Sequence, residues 1–411
     1  MARDDFVVGL DIGTTKICAI IGKANEEEQI DIIGIGTSPS RGLRKGVVVS
    51  LESTIQSIGQ AIEEAERMAQ LQVKSVYAGI AGGHIRGFTS KGTVPIAQND
   101  RVITKRDIQR AINAAQAIVI PLDREVIHIL PQEYIVDDMA GIKEPIGMSG
   151  VKLEAVVHIV TGAVTSAQNI IKGVNGAGFR VEDIILQPLA SAEAVLTPEE
   201  KELGVVLVDI GGGTSDMVVF IENSIWYTSV LALGGDNITK DISIGLRTPI
   251  ASAERIKKTY GCALSSLVGE DEMIPVPGVG AHGDRRLPRR ILTEIIEPRT
   301  EEIFTLIREE IRKTGYEDLI AGGVVITGGA SLMEGVPQLA GEILETPVRI
   351  GPPKGISGAV AKANSPIYAT GVGLVMYGLL YRSTGRASMF TSDHLFSKVV
   401  TRMKEWFEEF F

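Results

Sequence analysis

Two stretches of this chain repeat one theme. FVVGLDIGTTK spans 6–16 and GVVLVDIGGGTSD spans 204–216. Each is an apolar run that ends in Asp-Ile-Gly and passes into hydroxyl-bearing residues. A short unbroken apolar run of this kind is the pattern of a strand buried on both faces. The glycine that follows permits a tight turn. Two such units, with their aspartates at 11 and 209, predict two α/β halves of similar build. A further apolar run at 323–327 leads into Thr327-Gly328-Gly329-Ala330-Ser331 before a helical pattern, a third strand-to-glycine junction.

The remaining pattern fills out these halves. Apolar stretches at 17–22 and 30–36 extend the first strand into a meander. Apolar positions 51, 55, 58, 62, 65 and 68 have helical spacing, which predicts a helix over 51–71, followed by a strand at 75–80. The texture changes over 84–161. Short strands at 124–130 and 153–160 surround a polar helical piece at 104–118 and a Gly/Pro-rich loop at 139–150, the pattern of an inserted α+β domain. A helix at 162–178 and a strand at 181–186 resume the first half. Segments 236–263 and 293–313 read as helical, with a loop or hairpin at 270–290 between them. Residues 363–381 hold no charge and imitate a membrane span. Asn364, Ser365, Pro366, Thr370 and three glycines make a buried strand-turn-helix the better reading.

Composition narrows the function classes. At about 150 residues per domain, 411 residues suggest two or three domains. Apolar residues at 44% and charged residues at 22% fit a soluble globular protein. Glycine stands at 46 residues, well above the roughly 7% average, which suits many turns or a backbone that approaches a ligand. A net charge of −10 argues against nucleic acid as a partner. Two distant cysteines, Cys18 and Cys262, need no disulfide framework and suit a reducing compartment. The N-terminus runs directly into a strand, so no signal peptide is expected. The histidines have no metal-ligand spacing, and no Ser-His-Asp or H-E-x-x-H arrangement occurs.

The glycine junctions carry the chemistry. In Asp11-Ile12-Gly13-Thr14-Thr15-Lys16 the backbone N–H groups of the turn can cradle phosphate, and Lys16 adds charge. A strand-end aspartate suits a hydrated Mg²⁺. An ordinary turn explains this motif alone equally well. In Asp209-Ile210-Gly211-Gly212-Gly213-Thr214 three successive glycines cost chain entropy that a plain hairpin does not require, and close approach of a phosphate accounts for the third. Gly328, Gly329 and Ala330 would let a flat ring or ribose pack against backbone, or would simply start a helix.

Taken together and in this order, these junctions resemble the actin/sugar-kinase/Hsp70 ATPase superfamily, in which two lobes close over ATP. Further segments fit. Gly234-Gly235 follows the second phosphate hairpin. Ser252–Lys257 resembles the helix whose Glu and Lys hold the nucleoside. Gln187 lies in the first interdomain connection, where a polar residue orients the attacking water, and 368–373 looks like the second connection. The strings IGIGTSPSRGLRKGVVVSLEST at 33–54, LPQEYIVDD at 130–138, GIKEPIGMSGVKLEAVVHIVTG at 141–162 and EIIEPRTEEIF at 294–304 resemble the bacterial cell-division family FtsA over nearly the whole chain.

That resemblance implies an actin-like two-lobed α/β fold with an inserted α+β domain of the FtsA 1C type and a C-terminal amphipathic helix. It implies lobe 1 over 1–83 and 162–200, the insertion over 84–161, and the lobe 2 core over 201–236 and 308–381. It places a small 2B lobe at 237–307, a linker at 382–392 and the terminal helix at 393–411. ATP and Mg²⁺ would be the cofactors, with at most slow hydrolysis. Asp11 and Asp209 would hold Mg²⁺, largely through water. Gly13, Thr14, Thr15 and Lys16 would bind phosphate together with Gly211, Gly212, Gly213 and Thr214. Gly234, Gly235, Glu254, Lys257, Gly328, Gly329 and Ala330 would hold the nucleotide, and Gln187 would orient water. Expected partners are the C-terminal peptide of the tubulin-like FtsZ, other copies of the chain, later division membrane proteins and lipid. The expected place is the cytoplasmic face of the cell membrane at the division site.

The tail supports lipid binding without the family. Leu395, Phe396, Val399, Val400, Met403, Trp406, Phe407, Phe410 and Phe411 recur at steps of three and four, so one helical face is apolar. Such a helix behind a polar linker can lie in a membrane interface; docking in a groove is the alternative. Arg285, Arg286, Arg289, Arg290 and Arg299 offer a site for an acidic peptide, with a solvated loop as the plain alternative. A metabolic kinase of the superfamily lacks a use for that tail. The pilus-assembly actin homologue lacks the division-type strings.

Overall fold

The computed structural model describes residues 6–25, 29–97, 100–278, 283–358 and 361–384. Within the first half, β1 (Val7–Ile12), β2 (Lys16–Ala24) and β3 (Ile30–Pro39) form an antiparallel meander, as the apolar stretches predict. A small hairpin follows, β4 (Leu43–Arg44) with β5 (Val47–Val48). Helix α1 (Leu51–Ala69) starts at Ser50, whose hydroxyl accepts the Ser53 amide, and ends where Gln70 turns left-handed. It buries Ile58, Ile62 and Ala65 from the middle of the predicted stripe together with Ala61, while Leu51 and Met68 at the ends of that stripe stay exposed. β6 (Ser75–Ile80) then runs parallel to β1.

The insertion comprises β7 (Arg86–Pro95), α2 (Lys105–Gln116), β8 (Arg124–Val136), β9 (Met139–Ile142) and β10 (Lys152–Ala163). Its sheet has the order β7-β10-β8-β9, and α2 seals one face over a core of its own that includes Ile108, Ile112, Ile129 and Leu153. The stretch 139–150 contains β9 and is therefore not a loop throughout. The chain returns through α3 (Val164–Gly176) and β11 (Arg180–Leu186), which joins the edge of the first sheet beside β6.

Helices α4 (Gln187–Val195) and α5 (Pro198–Leu203) lead to the second half. There β12 (Val205–Ile210), β13 (Ser215–Ile221) and β14 (Ser224–Leu231) repeat the opening meander. The segment 236–263 is not one helix but two, α6 (Gly235–Gly245) and α7 (Ile250–Tyr260), broken before Pro249. A hairpin of β15 (Met273–Val276) and β16 (Arg285–Pro288) precedes the long α8 (Arg289–Thr314). β17 (Val324–Thr327), α9 (Val336–Leu344) and β18 (Val348–Ile350) complete a sheet of order β14-β13-β12-β17-β18. β19 (Ile356–Ser357) crosses back to the first sheet, whose order is β11-β6-β1-β2-β3-β19.

The uncharged segment 363–381 holds no strand. It forms two short 3-10 turns and then α10 (Ala369–Thr384). Val372, Leu374 and Val375 are fully buried, and the helix packs on β1 and α4. A helix apolar on most sides belongs between packed layers. Among the described residues no helix is long and apolar enough to cross a membrane. α10 also continues through Thr384, into the segment that composition reads as linker. The amphipathic tail at 393–411 lies outside the described residues.

Candidate functional site

β1 and β12 are buried along their whole lengths, so each delivers its aspartate to the edge of a rigid sheet. The turns that follow are matched. Gly13 N donates to Lys16 O at 3.1 Å and Gly211 N donates to Thr214 O at 2.9 Å. They face each other. A Cβ on Gly212 would lie 2.4 Å from Thr15 Cγ2, and one on Gly213 would lie 2.5 Å from Thr14 Oγ1. The opposing turn thus accounts for Gly212 and Gly213 without the phosphate that the sequence suggests for the third glycine; a side chain on Gly211 would meet only Thr214 O, at 3.4 Å. Gly328, at φ +84°, passes so close that a side chain would strike Asp209 Oδ1.

The turns open onto a cavity of about 620 Å³. Its walls include Asp11, Gly13 to Lys16, Gln187, Asp209, Gly211 to Thr214, Gly235, Glu254, Lys257 and Gly328 to Ala330, which brings nearly all of the expected nucleotide residues together. Gly234 does not line it directly. It stacks behind the second turn, where Gly235 and Asp236 amides donate to the carbonyls of Gly211 and Gly212 at 2.9 and 2.8 Å.

Three carboxylates dominate the electrostatics. Burial raises Asp11 to about 6; Asp209 adds to the rise and Lys16 opposes it. Gln187 Nε2 donates to Asp11 Oδ1 at 3.2 Å. Burial also raises Asp209, against hydrogen bonds from Ser191 Oγ at 2.6 Å and Thr370 Oγ1 at 3.0 Å. Asp216, opposite Asp209 on β13, closes the 204–216 repeat and is not among the site residues the sequence singles out. Burial and the neighbouring Asp209 push it to about 8. Thr214 donates to its Oδ2 at 2.8 Å, and its buried Oδ1 has no partner. Strand alternation could have revealed it, since a residue registered with Asp209 shares its face. Lys16 Nζ donates to the Ile367 carbonyl at 2.9 Å and lies 4.4 Å from the Tyr368 ring centre.

At the far end, Lys257 pairs with Glu254 at 2.7 Å and donates to Gly235 O and Thr239 Oγ1. Burial works against ionisation of Glu254, but Lys257 outweighs it and the carboxyl lies below its ordinary range. Arg289 also lines the cavity. It bonds Tyr260 O at 2.8 Å and Glu272 at 2.9 Å, and pairs with Glu334. The arginines are therefore not one patch. Arg285 binds the Leu246 carbonyl. Arg290 pairs with Glu294 at 3.3 Å. Arg286 is exposed on β16. Arg299 pairs with Asp241 at 2.6 Å and with Glu302, beside a small groove lined also by Ile295 and Pro298.

A family model described as "Cell division protein FtsA" matches residues 206–373, and one described as "SHS2 domain inserted in FTSA" matches 82–161. The cell-division protein FtsA of Pseudomonas aeruginosa is 51% identical over 405 residues, covering 97% of each chain. The chain belongs to the FtsA family. Its fold is actin-like. A solved structure titled PilM-PilN type IV pilus biogenesis complex aligns with TM-score 0.66 at 16% identity over 92% of this chain and 99% of that one. MreB5 of Spiroplasma citri bound to ADP aligns with TM-score 0.51 at 14% identity over 92% and 96%. At such identities these neighbours show the fold alone. The division-type strings thus decide between FtsA and the pilus homologue, two families that share one architecture.

Proposed function

We propose that this FtsA-family protein binds ATP with Mg²⁺, polymerises on the cytoplasmic face of the cell membrane, tethers FtsZ there and recruits later division proteins. The observation that carries the nucleotide part is the pair of facing turns around a cavity with three buried carboxylates. The MreB5 neighbour, titled as bound to ADP, supports it. Asp11, Asp209 and Asp216 are oxygen donors of the kind a hard cation takes. The unpartnered Asp216 Oδ1, and the upward shifts that burial imposes on all three carboxyls, suit a cation in the cleft that would offset that burial. Among the described residues no three acidic, imidazole or thiol groups converge closely enough to ligate a metal directly, which favours contact through water. When bound, Mg²⁺ would supply charge neutralisation at the phosphates.

The chain's own residues do the rest. The turns at Gly13–Lys16 and Gly211–Thr214 grip phosphate from both lobes, so nucleotide favours the closed cleft. Glu254 and Lys257 brace the nucleoside end. Gln187, now on Asp11, stands where it can orient water. Fully exposed Val119 and Leu122 on the insertion suit contact with another copy of the chain. The Arg299 groove would take an acidic, partly apolar peptide end against Ile295 and Pro298 by exchanging the Asp241 and Glu302 pairs for it, and the apolar-faced tail suits lipid. Asp209→Ala tests the nucleotide reading. Ser191 and Thr370 lie 3.0 Å apart and satisfy each other without it, so the fold survives. Mg²⁺-dependent binding of a fluorescent ATP analogue should vanish; unaltered binding refutes the assignment.

A further inference from the structure

One face of the inserted sheet meets both lobes through buried polar groups. On β8 and β10, His128 lies opposite Val160 and Leu130 lies opposite His158, so all four share a side. Leu130 and Val160 join the apolar core of the first lobe. His158 Nε2 meets Thr228 Oγ1 on β14 at 2.9 Å. At the bulge beyond, Gln132 Nε2 donates to the Ile225 and Trp226 carbonyls at 3.0 and 3.2 Å. These bonds reach the second lobe. His128 reaches the first: its Nε2 accepts the Leu186 amide at 3.0 Å.

The place of that bond matters. β11 is the edge strand of its sheet, so backbone groups on its outer side lack a strand partner. A buried amide there needs an acceptor from elsewhere. Burial pushes His128 down to about 4, so its ring is neutral and offers a lone pair at Nε2. Leu186 is the residue before Gln187, and it caps α4 without a side-chain bond of its own. Gln187 in turn donates to Asp11 at 3.2 Å. Gly79 leaves the space that its side chain occupies: a Cβ there would lie 2.9 Å from Gln187 Cγ. Two hydrogen bonds and one peptide step therefore connect the inserted sheet to a carboxylate of the cleft.

We propose that His128 is a positioning residue for Gln187, and that the inserted domain is through it an input to the nucleotide cleft. With β14 held by Gln132 and His158, displacing the inserted sheet moves Gln187 and the second lobe together. Coupling of this kind is reciprocal, so nucleotide in the cleft also changes the inserted sheet. The inference rests on the reading of the cleft as an ATP site.

The test uses the full chain and four variants: His128→Leu, which removes the acceptor; His128→Gln, which keeps one near the Nε2 position; Gln187→Ala; and His128→Leu with Gln187→Ala. Three quantities are read: amide hydrogen exchange without nucleotide, melting temperature, and affinity for a fluorescent ATP analogue with Mg²⁺. His128→Leu should expose the segment around Leu186 and Gln187 to exchange and weaken nucleotide binding about tenfold, within the usual range of coupling. His128→Gln should restore both. Adding His128→Leu to Gln187→Ala should cost no further affinity while still lowering the melting temperature. The proposal falls if His128→Leu lowers the melting temperature yet leaves affinity unchanged, or if the two affinity losses multiply. A wild type that binds no Mg²⁺–ATP would sink the ATP reading instead. Exchange would then still decide whether His128 orders Gln187, and unchanged protection would overturn that too.

Discussion

Asp216 should make the nucleotide-free protein less stable as pH rises through neutrality. It is fully buried in register with Asp209, and burial with that neighbour holds its pKa at about 8. In the unfolded chain an aspartate titrates near 3.9. Between these values the folded state keeps a proton that the unfolded chain has released, so stability falls with pH and levels off above about 8. Between pH 6.5 and 8 the folded carboxyl begins to ionise as well, which limits the loss to about 2 kcal/mol. His128 and His158 have the opposite sign. Both lie at about 4 in the fold, so their contribution rises with pH and is complete once the unfolded imidazole, near 6.5, has lost its proton. Comparing wild type with Asp216→Asn cancels them. The variant is isosteric, and its amide oxygen can still accept from Thr214. Urea unfolding followed by circular dichroism, at pH 6.5 and 8 without Mg²⁺, should show the wild type losing about 2 kcal/mol more than the variant. Binding of Mg²⁺–ATP should expel the proton, so wild-type affinity should rise over the same range. Parallel pH dependences for the two proteins would refute the argument.

Gly213→Ala places a methyl 2.5 Å from Thr14 Oγ1, about an ångström inside contact, at an overpacking cost of about 1–3 kcal/mol; affinity for a fluorescent ATP analogue should drop about tenfold or more. Undiminished affinity would mean the turns do not close on each other. Arg299→Glu leaves three acids together with Asp241 and Glu302, so binding of the FtsZ C-terminal peptide should be lost along with its salt dependence. Equal wild-type affinity at low and high salt, measured by fluorescence anisotropy, would place the peptide on an apolar site. In the tail, Trp406→Glu removes an aromatic anchor worth at most about 1.5–3 kcal/mol and adds a charge, so the protein should leave lipid vesicles in co-sedimentation. Lys398→Ala with Arg402→Ala should stay bound, because Glu405, Glu408 and Glu409 already offset their field; the reverse pattern would make electrostatics the anchor.

Local pattern was enough for much of this protein. The runs before Asp11 and Asp209 spell buried strands, the spacing of 51–68 spells α1, and the glycines mark where strands must turn. These features depend on neighbours in sequence, and the backbone rules that govern them act within a few residues. The order of the junctions and the strings around them then gave the family. What the sequence could not supply was who stands opposite whom. Gly212 and Gly213 read as glycines kept small for a phosphate until the fold brings Thr15 and Thr14 against them and supplies a second reason for the missing side chains. Arg289 reads as one of a surface group until α8 turns it into the cleft beside Glu334. The uncharged run at 363–381 has no periodicity that separates a strand from a buried helix, and contacts with β1 and α4 made it α10. Asp216 is one more acid in a string until burial beside Asp209 lifts its pKa. His128, far in sequence from Leu186, acquires its role only when the inserted sheet covers the bare edge of β11. Each of these outcomes depends on desolvation or close contact between distant segments, and such terms exist only after the two lobes and the insertion have packed.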